Sequence, residues 1–178
     1  MTINIYCDGS AKDNGKENNA GGFGVCALVL DESLSSGFRI DYTLGTPTIG
    51  KTNNQNELTA LLKALELTQT KYKNDKCVIY SDSAYCVNIF NKWIQSWASH
   101  GWVRYGDKPI ENLDLIKQLW EYWKIEWSNF QVKKIPGHTG ILGNEIADAL
   151  ATSNQAKLEE IFSKNDDLYR MANLIDKL

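Results

Sequence analysis

Four acids stand where their chemistry can combine. Asp8 and Asp82 each close a run, Thr2-Ile3-Asn4-Ile5-Tyr6-Cys7 and Cys77-Val78-Ile79-Tyr80-Ser81, that reads as a strand. Glu57 lies in the first turn of a predicted helix, and Asp148 lies early in another. If the two strands run parallel and adjacent, both aspartates emerge at the carboxyl edge of the sheet, where ligands bind in open α/β folds. A fold that brings the two helix starts to that edge gathers four carboxylates. Such a group repels itself, and each member resists ionising unless cations neutralise it. All-oxygen ligation suits Mg²⁺ or Mn²⁺. Two such ions, about 4 Å apart, can clamp the attacking and leaving oxygens of an in-line phosphoryl displacement. The chemistry implied is metal-assisted phosphodiester hydrolysis. Singly, each acid has a plainer use: Asp8-Gly9 as turn chemistry, Glu57 and Asp148 as acids favoured by a helix dipole. Only their joint placement argues for a site.

That placement depends on the surrounding elements. Residues 2–8 alternate apolar and polar side chains and break at Gly9-Ser10, which predicts a strand. A polar loop over residues 11–22 leads to a second strand over 23–30, a turn over 31–37, and a third strand over 38–44. Three consecutive strands predict an antiparallel meander. The period then changes. Leu58, Leu61, Leu62 and Leu65 stand at i, i+3, i+4 and i+7, an amphipathic helix with Asn53 or Asn54 as its N-cap. The apolar run ending at Asp82 suits a central strand buried on both faces. Residues 83–97 read as helical and residues 101–109 as an interruption. Leu113, Ile116, Trp120 and Trp123 mark a further helix capped by Asn112. Residues 130–135 read as the last strand, Pro136-Gly137-His138-Thr139-Gly140 as a loop, and a helix follows from about Asn144. After a break at Asn165-Asp166, helical spacing of Leu168, Met171, Ala172, Ile175 and Leu178 predicts a short tail helix. Three strands followed by alternating units predict an α/β fold: a five-stranded mixed sheet, a three-strand antiparallel meander plus parallel strands, flanked by helices.

The chain has 178 residues, 43% hydrophobic and 23% charged, which fits one packed domain and is too apolar for disorder. Its formal net charge of −3 argues against a simple polycation that wraps nucleic acid or coats an anionic membrane. It leaves room for a nucleic-acid enzyme whose acids are concentrated in a metal site, because two divalent ions would more than offset that charge. Cys7, Cys26, Cys77 and Cys86 form no CxxC pair, so buried thiols in a reducing compartment are expected in place of disulfides or zinc ligands. No basic region precedes the first apolar run, and no stretch approaches ~18 apolar residues. A cytoplasmic protein with no membrane segment is expected.

Four stretches carry a family resemblance. Tyr6-Cys7-Asp8-Gly9-Ser10, Thr52-Asn53-Asn54-Gln55-Asn56-Glu57-Leu58, Ser81-Asp82-Ser83 and Pro136-Gly137-His138-Thr139-Gly140-Ile141-Leu142-Gly143-Asn144-Glu145-Ile146-Ala147-Asp148 follow in a set order and spacing. By them the chain resembles the type 1 ribonucleases H over residues 2–153, the last stretch being the most specific. The resemblance implies the ribonuclease H-like fold and an endonuclease that hydrolyses the RNA strand of RNA/DNA hybrids by a two-metal-ion mechanism, leaving 3′-hydroxyl and 5′-phosphate ends. It implies two Mg²⁺ ions, for which Mn²⁺ can substitute. Asp8 would bridge both, Asp82 would hold the ion that activates water, and Glu57 and Asp148 would hold the ion near the leaving 3′ oxygen. His138 would assist proton transfer or product departure, and Glu145 would tune the second ion. Residues 1–153 would form the catalytic domain and residues 154–178 a helical extension of it, with no family role assigned. A monomer is expected.

The resemblance also implies how substrate is held. Gly9, Ser10, Asn53, Asn54 and the Glu57 region would follow the RNA minor groove, where the 2′-hydroxyl distinguishes RNA from DNA. Thr52 and Asn112 correspond to the family's pocket for a DNA-strand phosphate. The arginine often found two residues before that threonine is Gly50 here, with Lys51 beside it as a substitute charge. Residues 91–102 resemble a substrate-binding protrusion in which Trp93, with Tyr85 nearby, would lie against deoxyribose, whereas Trp97 and Trp102 are expected to pack. The protrusion is thinly basic, with Lys92, Arg104 and Lys108 against Asp107, so weak binding and a shallow salt dependence are expected.

Other functions remain open at this point. A phosphoacceptor signalling domain also places acids at strand ends, but it would need regular β/α alternation and a lysine at the last strand end. A catalytically silent nucleic-acid-binding domain would not need all four acids. Another metal-dependent nuclease of the same fold differs only in substrate, and Asn53, Asn54 and Trp93 favour the hybrid.

Overall fold

The computed structural model describes residues 1–14 and 16–164. The expected tail helix, with Leu168, Met171, Ala172, Ile175 and Leu178, and the break before it lie outside the described residues. The chain opens with three strands, β1 (Thr2–Ala11), β2 (Ala20–Leu30) and β3 (Phe38–Ile49). α1 (Asn53–Gln69) then crosses to β4 (Lys76–Ser81). Next come α2 (Ala84–Asn88), a π-helical turn (Ile89–Trp93) and α3 (Ile94–Ser99). A two-residue-strand hairpin, β5 (Val103–Arg104) and β6 (Lys108–Pro109), precedes α4 (Leu113–Trp123). β7 (Phe130–Lys134), α5 (Leu142–Ala151) and α6 (Gln155–Ser163) complete the order.

The main sheet has the order β3-β2-β1-β4-β7. The meander β3-β2-β1 is antiparallel, and β4 and β7 join it in parallel. This is the five-stranded mixed sheet expected from the change of period along the chain. Its faces are covered by different helices. On one side Ile3, Ile5, Cys7, Val25 and Ile79 pack with Leu58, Leu61 and Leu65 of α1 and with Ile116 and Leu119 of α4. Burying each such leucine contributes about 1.5–3 kcal/mol, so α1 is held by its apolar face. On the other side Tyr6, Cys26, Leu28 and Ile40 receive α5 and α6 through Ile146, Leu150, Leu158 and Phe162. All four cysteines are buried and unpaired, as their spacing predicts. Among the described residues no helix is long and apolar enough to cross a membrane.

Several boundaries differ from the expectation, with β2 starting earlier, at Ala20, and β3 running on to Ile49. The N-cap of α1 is Thr52, not Asn53 or Asn54. Its hydroxyl accepts from the Gln55 N–H at 3.1 Å, while the Gln55 side chain accepts from the Thr52 N–H at 2.9 Å. That reciprocal pair is a capping box, and it outcompetes a lone asparagine. β1 runs three residues past Asp8 because Gly9, Ser10 and Ala11 still pair with β2. α5 starts at Leu142, so Asp148 stands in its second turn. Asn112 does occupy the cap position of α4, but with a left-handed backbone and its side chain turned away to donate to the Tyr85 hydroxyl at 3.1 Å.

Candidate active site

Register brings the first two acids together. Cys7 pairs with Ser81 in the parallel ladder, so Asp8 and Asp82, the next residues, leave neighbouring strands side by side. α1 delivers Glu57 because Gly9 lets the helix start approach β1: a Cβ at Gly9 would stand 2.3 Å from the Glu57 backbone nitrogen. Oxygens of Asp8, Glu57 and Asp82 lie within 4.8 Å of one another. Asp8 and Glu57 are each only 6% exposed. α5 delivers Asp148 from the opposite face. Gly24 and Gly143 permit its close packing, since a Cβ there would meet the Ala147 carbonyl at 2.2 Å and the Tyr6 ring at 2.1 Å respectively.

The electrostatics follow from that crowding. Burial, then repulsion from Asp82 and Asp148, pushes Asp8 up to about 8. Burial, then repulsion from Asp8 and Asp82, pushes Glu57 up to about 9. The Gly9 N–H opposes both shifts by hydrogen bonding to the carboxylates. Glu57 Oε2 is buried with no hydrogen-bond partner. An orphaned carboxylate oxygen facing two further acids is a donor set that a hard divalent cation satisfies. The residues therefore fit the ion that the acids imply.

These shifts give the metal-free protein a distinctive pH dependence. A carboxyl whose folded pKa is raised binds more protons folded than unfolded, so stability falls as pH rises through the interval between the two values. For Asp8 and Glu57 that interval runs from about 4 to about 8 and about 9. Melting temperature in the presence of a chelator is expected to drop between about pH 5 and about pH 8.5, and saturating Mg²⁺ should flatten the slope. A metal-free melting temperature that rises over this range would contradict the assignment.

The remaining positions divide into those at the acids and those away from them. Gly137 borders the site, as a Cβ there would meet Asp82 Oδ2 at 2.6 Å. His138, next to it, is exposed with a left-handed backbone (φ 53°). The acids group differently from the partition implied by the resemblance: Asp82 clusters with Asp8 and Glu57. Asp148 is instead paired through Oδ2 with Lys157 of α6 at 2.5 Å, and the same ammonium lies 2.7 Å from Glu145. Ser10 is engaged internally, its hydroxyl donating to the Ala151 carbonyl at 2.9 Å and its own carbonyl accepting from Asn56 at 2.6 Å. Asn53 is half-buried and Asn54 exposed at the start of α1.

Two grooves extend outward. Lys51, Gln55 and Asn112 line a cavity of about 480 Å³ between the starts of α1 and α4, with Thr52 adjoining it in sequence. Gly50 is held by its backbone, with φ of 69° and the Glu17 carbonyl 2.5 Å from where a Cβ would stand, so Lys51 carries the cationic charge there. Tyr85, Trp93, Trp97 and Arg104 line a second cavity of about 320 Å³. Trp93 is 40% exposed, whereas Trp97 and Trp102 pack against the core, as expected.

Three positioning residues went unread in the sequence. Asn144 is 2% exposed and its amide donates to Asp82 Oδ2 at 3.2 Å. Asn56 ties α1 to Ser10 and, accepting at 3.0 Å, to the Thr48 hydroxyl of β3. Lys157 bridges Asp148 and Glu145. Asn56 and Asn144 stand inside the motif stretches that carry Glu57 and Asp148, but nothing in the sequence shows what their side chains touch. Asn154 followed by Leu158, Ile161 and Phe162 signals a capped helix at apolar spacing, but not the contacts of Lys157.

Comparison with known proteins agrees with this geometry. The family model described as RNase H matches residues 1–156. Ribonuclease H of Orientia tsutsugamushi is 33% identical over 167 residues, covering 94% of this chain and 90% of that protein. Human ribonuclease H1 is 30% identical over 159 residues, covering 88% of this chain, and the chain spans 51% of the human protein's length. Among solved structures, LC9-RNase H1, a type 1 RNase H with the type 2 active-site motif, superposes with a TM-score of 0.67 at 27% identity, covering 84% of this chain and 70% of the other.

Proposed function

The chain belongs to the type 1 ribonuclease H family, and from that membership we propose that it is a metal-dependent endoribonuclease that cuts the RNA strand of RNA/DNA hybrids. The observation that carries this reading is the convergence of Asp8, Glu57 and Asp82 with a buried, unpartnered Glu57 oxygen. Asp8, Glu57 and Asp82 would hold one Mg²⁺, and Asp8 with Asp148 a second; Mn²⁺ would fit the same oxygens. When bound, the ions supply the positive charge that activates water and stabilises the leaving oxygen, with 3′-hydroxyl and 5′-phosphate ends as products. Asn144 orients Asp82 by its hydrogen bond. His138, free in the loop beside Asp82, would carry a proton to the leaving group or help the product depart. Glu145 would act on the Asp148 side.

Substrate choice is assigned to the rim. Gly9, Ser10, Asn53 and Asn54 would follow the RNA backbone and its 2′-hydroxyls. The aromatic wall of Tyr85 and Trp93 would take the deoxyribose face, where a 2′-hydroxyl clashes. Lys51, Thr52 and Asn112 would receive a phosphate of the DNA strand. We assign residues 1–153 to the catalytic domain and residues 154–178 to a helical extension of it, and expect a cytoplasmic monomer. The test offers labelled RNA/DNA hybrid, duplex RNA, duplex DNA and single-stranded RNA with Mg²⁺. Cleavage confined to the RNA of the hybrid is expected. A hybrid left intact under both Mg²⁺ and Mn²⁺ would sink the reading.

A further inference from the structure

α6 begins where the family match is ending, and Lys157 is the first residue beyond it. Its position is built into the fold. Asn154 caps α6 by accepting from the Lys157 backbone N–H at 3.0 Å. Leu158 and Phe162, each 4% exposed, anchor the helix in the second core cluster beside α5. From this held backbone the ammonium reaches Asp148 Oδ2 at 2.5 Å and Glu145 Oε2 at 2.7 Å. The two acids lie three residues apart, on one face of α5.

The consequence is a charge already in place at one side of the acid cluster. Asp8, Glu57 and Asp82 turn oxygens toward one another, whereas Asp148 commits Oδ2 to the lysine. An ion framed by Asp8 and Asp148 must therefore compete with a bound ammonium. We propose that Lys157 is a resident cation of the Asp148 side of the active site, which withdraws when a second divalent ion binds and thereby sets the concentration at which that ion binds. The inference rests on the reading of the four acids as a two-ion site. The side chain has the means to withdraw: its flexible stem lets the ammonium swing outward by rotamer change while α6 stays docked. Withdrawal breaks two charge-assisted hydrogen bonds, which are about twice as strong as neutral ones. That cost falls on the second ion alone, because the group formed by Asp8, Glu57 and Asp82 includes neither partner of the lysine.

The test titrates the full chain with Mn²⁺ and then Mg²⁺ by calorimetry, without substrate, in wild type, Lys157→Met, Lys157→Gln and Lys157→Arg. The tighter constant should move little. The weaker one should tighten about tenfold or more in the two neutral variants, as expected when a competing unit charge a few ångströms away is removed. Lys157→Arg, which keeps the charge, should show no tightening. A second ion detected only in the neutral variants is the same result in its extreme form. A lysine that merely clamps α6 to α5 would lower the metal-free melting temperature of the neutral variants and leave the weaker constant unchanged or weaker, and that outcome overturns the proposal. Having both Met and Gln variants keeps the comparison intact if one fails to fold. Wild type that binds no divalent ion would remove the two-ion reading itself, and the proposal with it; wild type that binds ions with constants shared by the neutral variants removes the proposal alone.

Discussion

Asp8→Asn is expected to reduce cleavage of the hybrid by at least about a thousandfold, since the residue is the one acid shared by both proposed ions. The same substitution should stabilise the metal-free protein. Asp8 is buried and faces repulsion from Asp82 and Asp148, and an amide of nearly the same shape carries no charge to repel. The gain should itself depend on pH. Near pH 5 the carboxyl of the folded protein holds its proton, because its pKa is pushed up to about 8, and the neutral acid and the amide are then almost equivalent. As pH rises from about 4 toward that value, the unfolded carboxyl ionises while the folded one must keep its proton, so the variant gains its advantage across this interval and holds it above. A stabilisation of about 1 kcal/mol near pH 8.5 would raise the melting temperature by about 2–4 °C in a chain of this size. Melts of both proteins with chelator at the two pH values, paired with hybrid cleavage in Mg²⁺, check the prediction. Retained cleavage removes Asp8 from the metal site, and a lower melting temperature at high pH means its charge is compensated in a way the geometry does not contain.

That coupling of activity to instability explains why much of the site can be read from the chain and part of it cannot. The acids are visible because their neighbours are regular: an alternating run before Asp8 and an apolar run before Asp82 force strands, and parallel pairing of those strands brings the carboxylates together. The change from period 2 to helical spacing at Leu58, Leu61 and Leu65 likewise fixes which face of α1 meets the sheet. What escapes are contacts made across long sequence separations by residues whose local role is ordinary. Asn144 looks like a helix-start residue until Asp82, 62 positions earlier, is found beside it. Thr52 and Gln55 were within reach, since their spacing is that of a capping box, but adjacent asparagines offered an equally plausible cap. The π-helical turn over Ile89–Trp93 has no periodic signature that separates it from the α-helix on either side. Lys157 is the clearest case. Nothing local distinguishes it from a solvated lysine, and only the docking of α6 on α5 brings it to Asp148 and Glu145.

Gly9→Ala is expected to be one of the most disruptive single methyl additions near the site. A Cβ at Gly9 would lie 2.3 Å from the Glu57 nitrogen, 2.4 Å from the Asn56 carbonyl carbon and 2.7 Å from the Glu57 Cα. All three are backbone atoms of α1, so no side-chain rotation relieves the overlap, and the helix start must retreat from β1. Retreat carries two penalties with it. It pulls the Asn56 amide off the Ser10 carbonyl, a 2.6 Å contact made by a buried side chain. It also withdraws Glu57 from Asp8 and Asp82, dispersing the donor set for the first ion. Destabilisation of about 3 kcal/mol or more is expected, at the upper end for overpacking because the clash is between main chains. Gly37→Ala supplies the contrast: its φ is 72° but nothing lies within 4 Å of the added methyl, so only the left-handed backbone penalty of about 1–2 kcal/mol applies. Urea unfolding of the two variants measures the difference, and calorimetry with Mg²⁺ measures the site. If Gly9→Ala matched Gly37→Ala in stability and bound Mg²⁺ as tightly as wild type, the close approach of α1 to β1 would not be what holds Glu57 in place. Loss of Mg²⁺ binding in Gly9→Ala at a urea concentration where it is still folded would locate the defect in the displaced carboxylate itself, since Asp8 and Asp82 remain on strands that the substitution leaves paired.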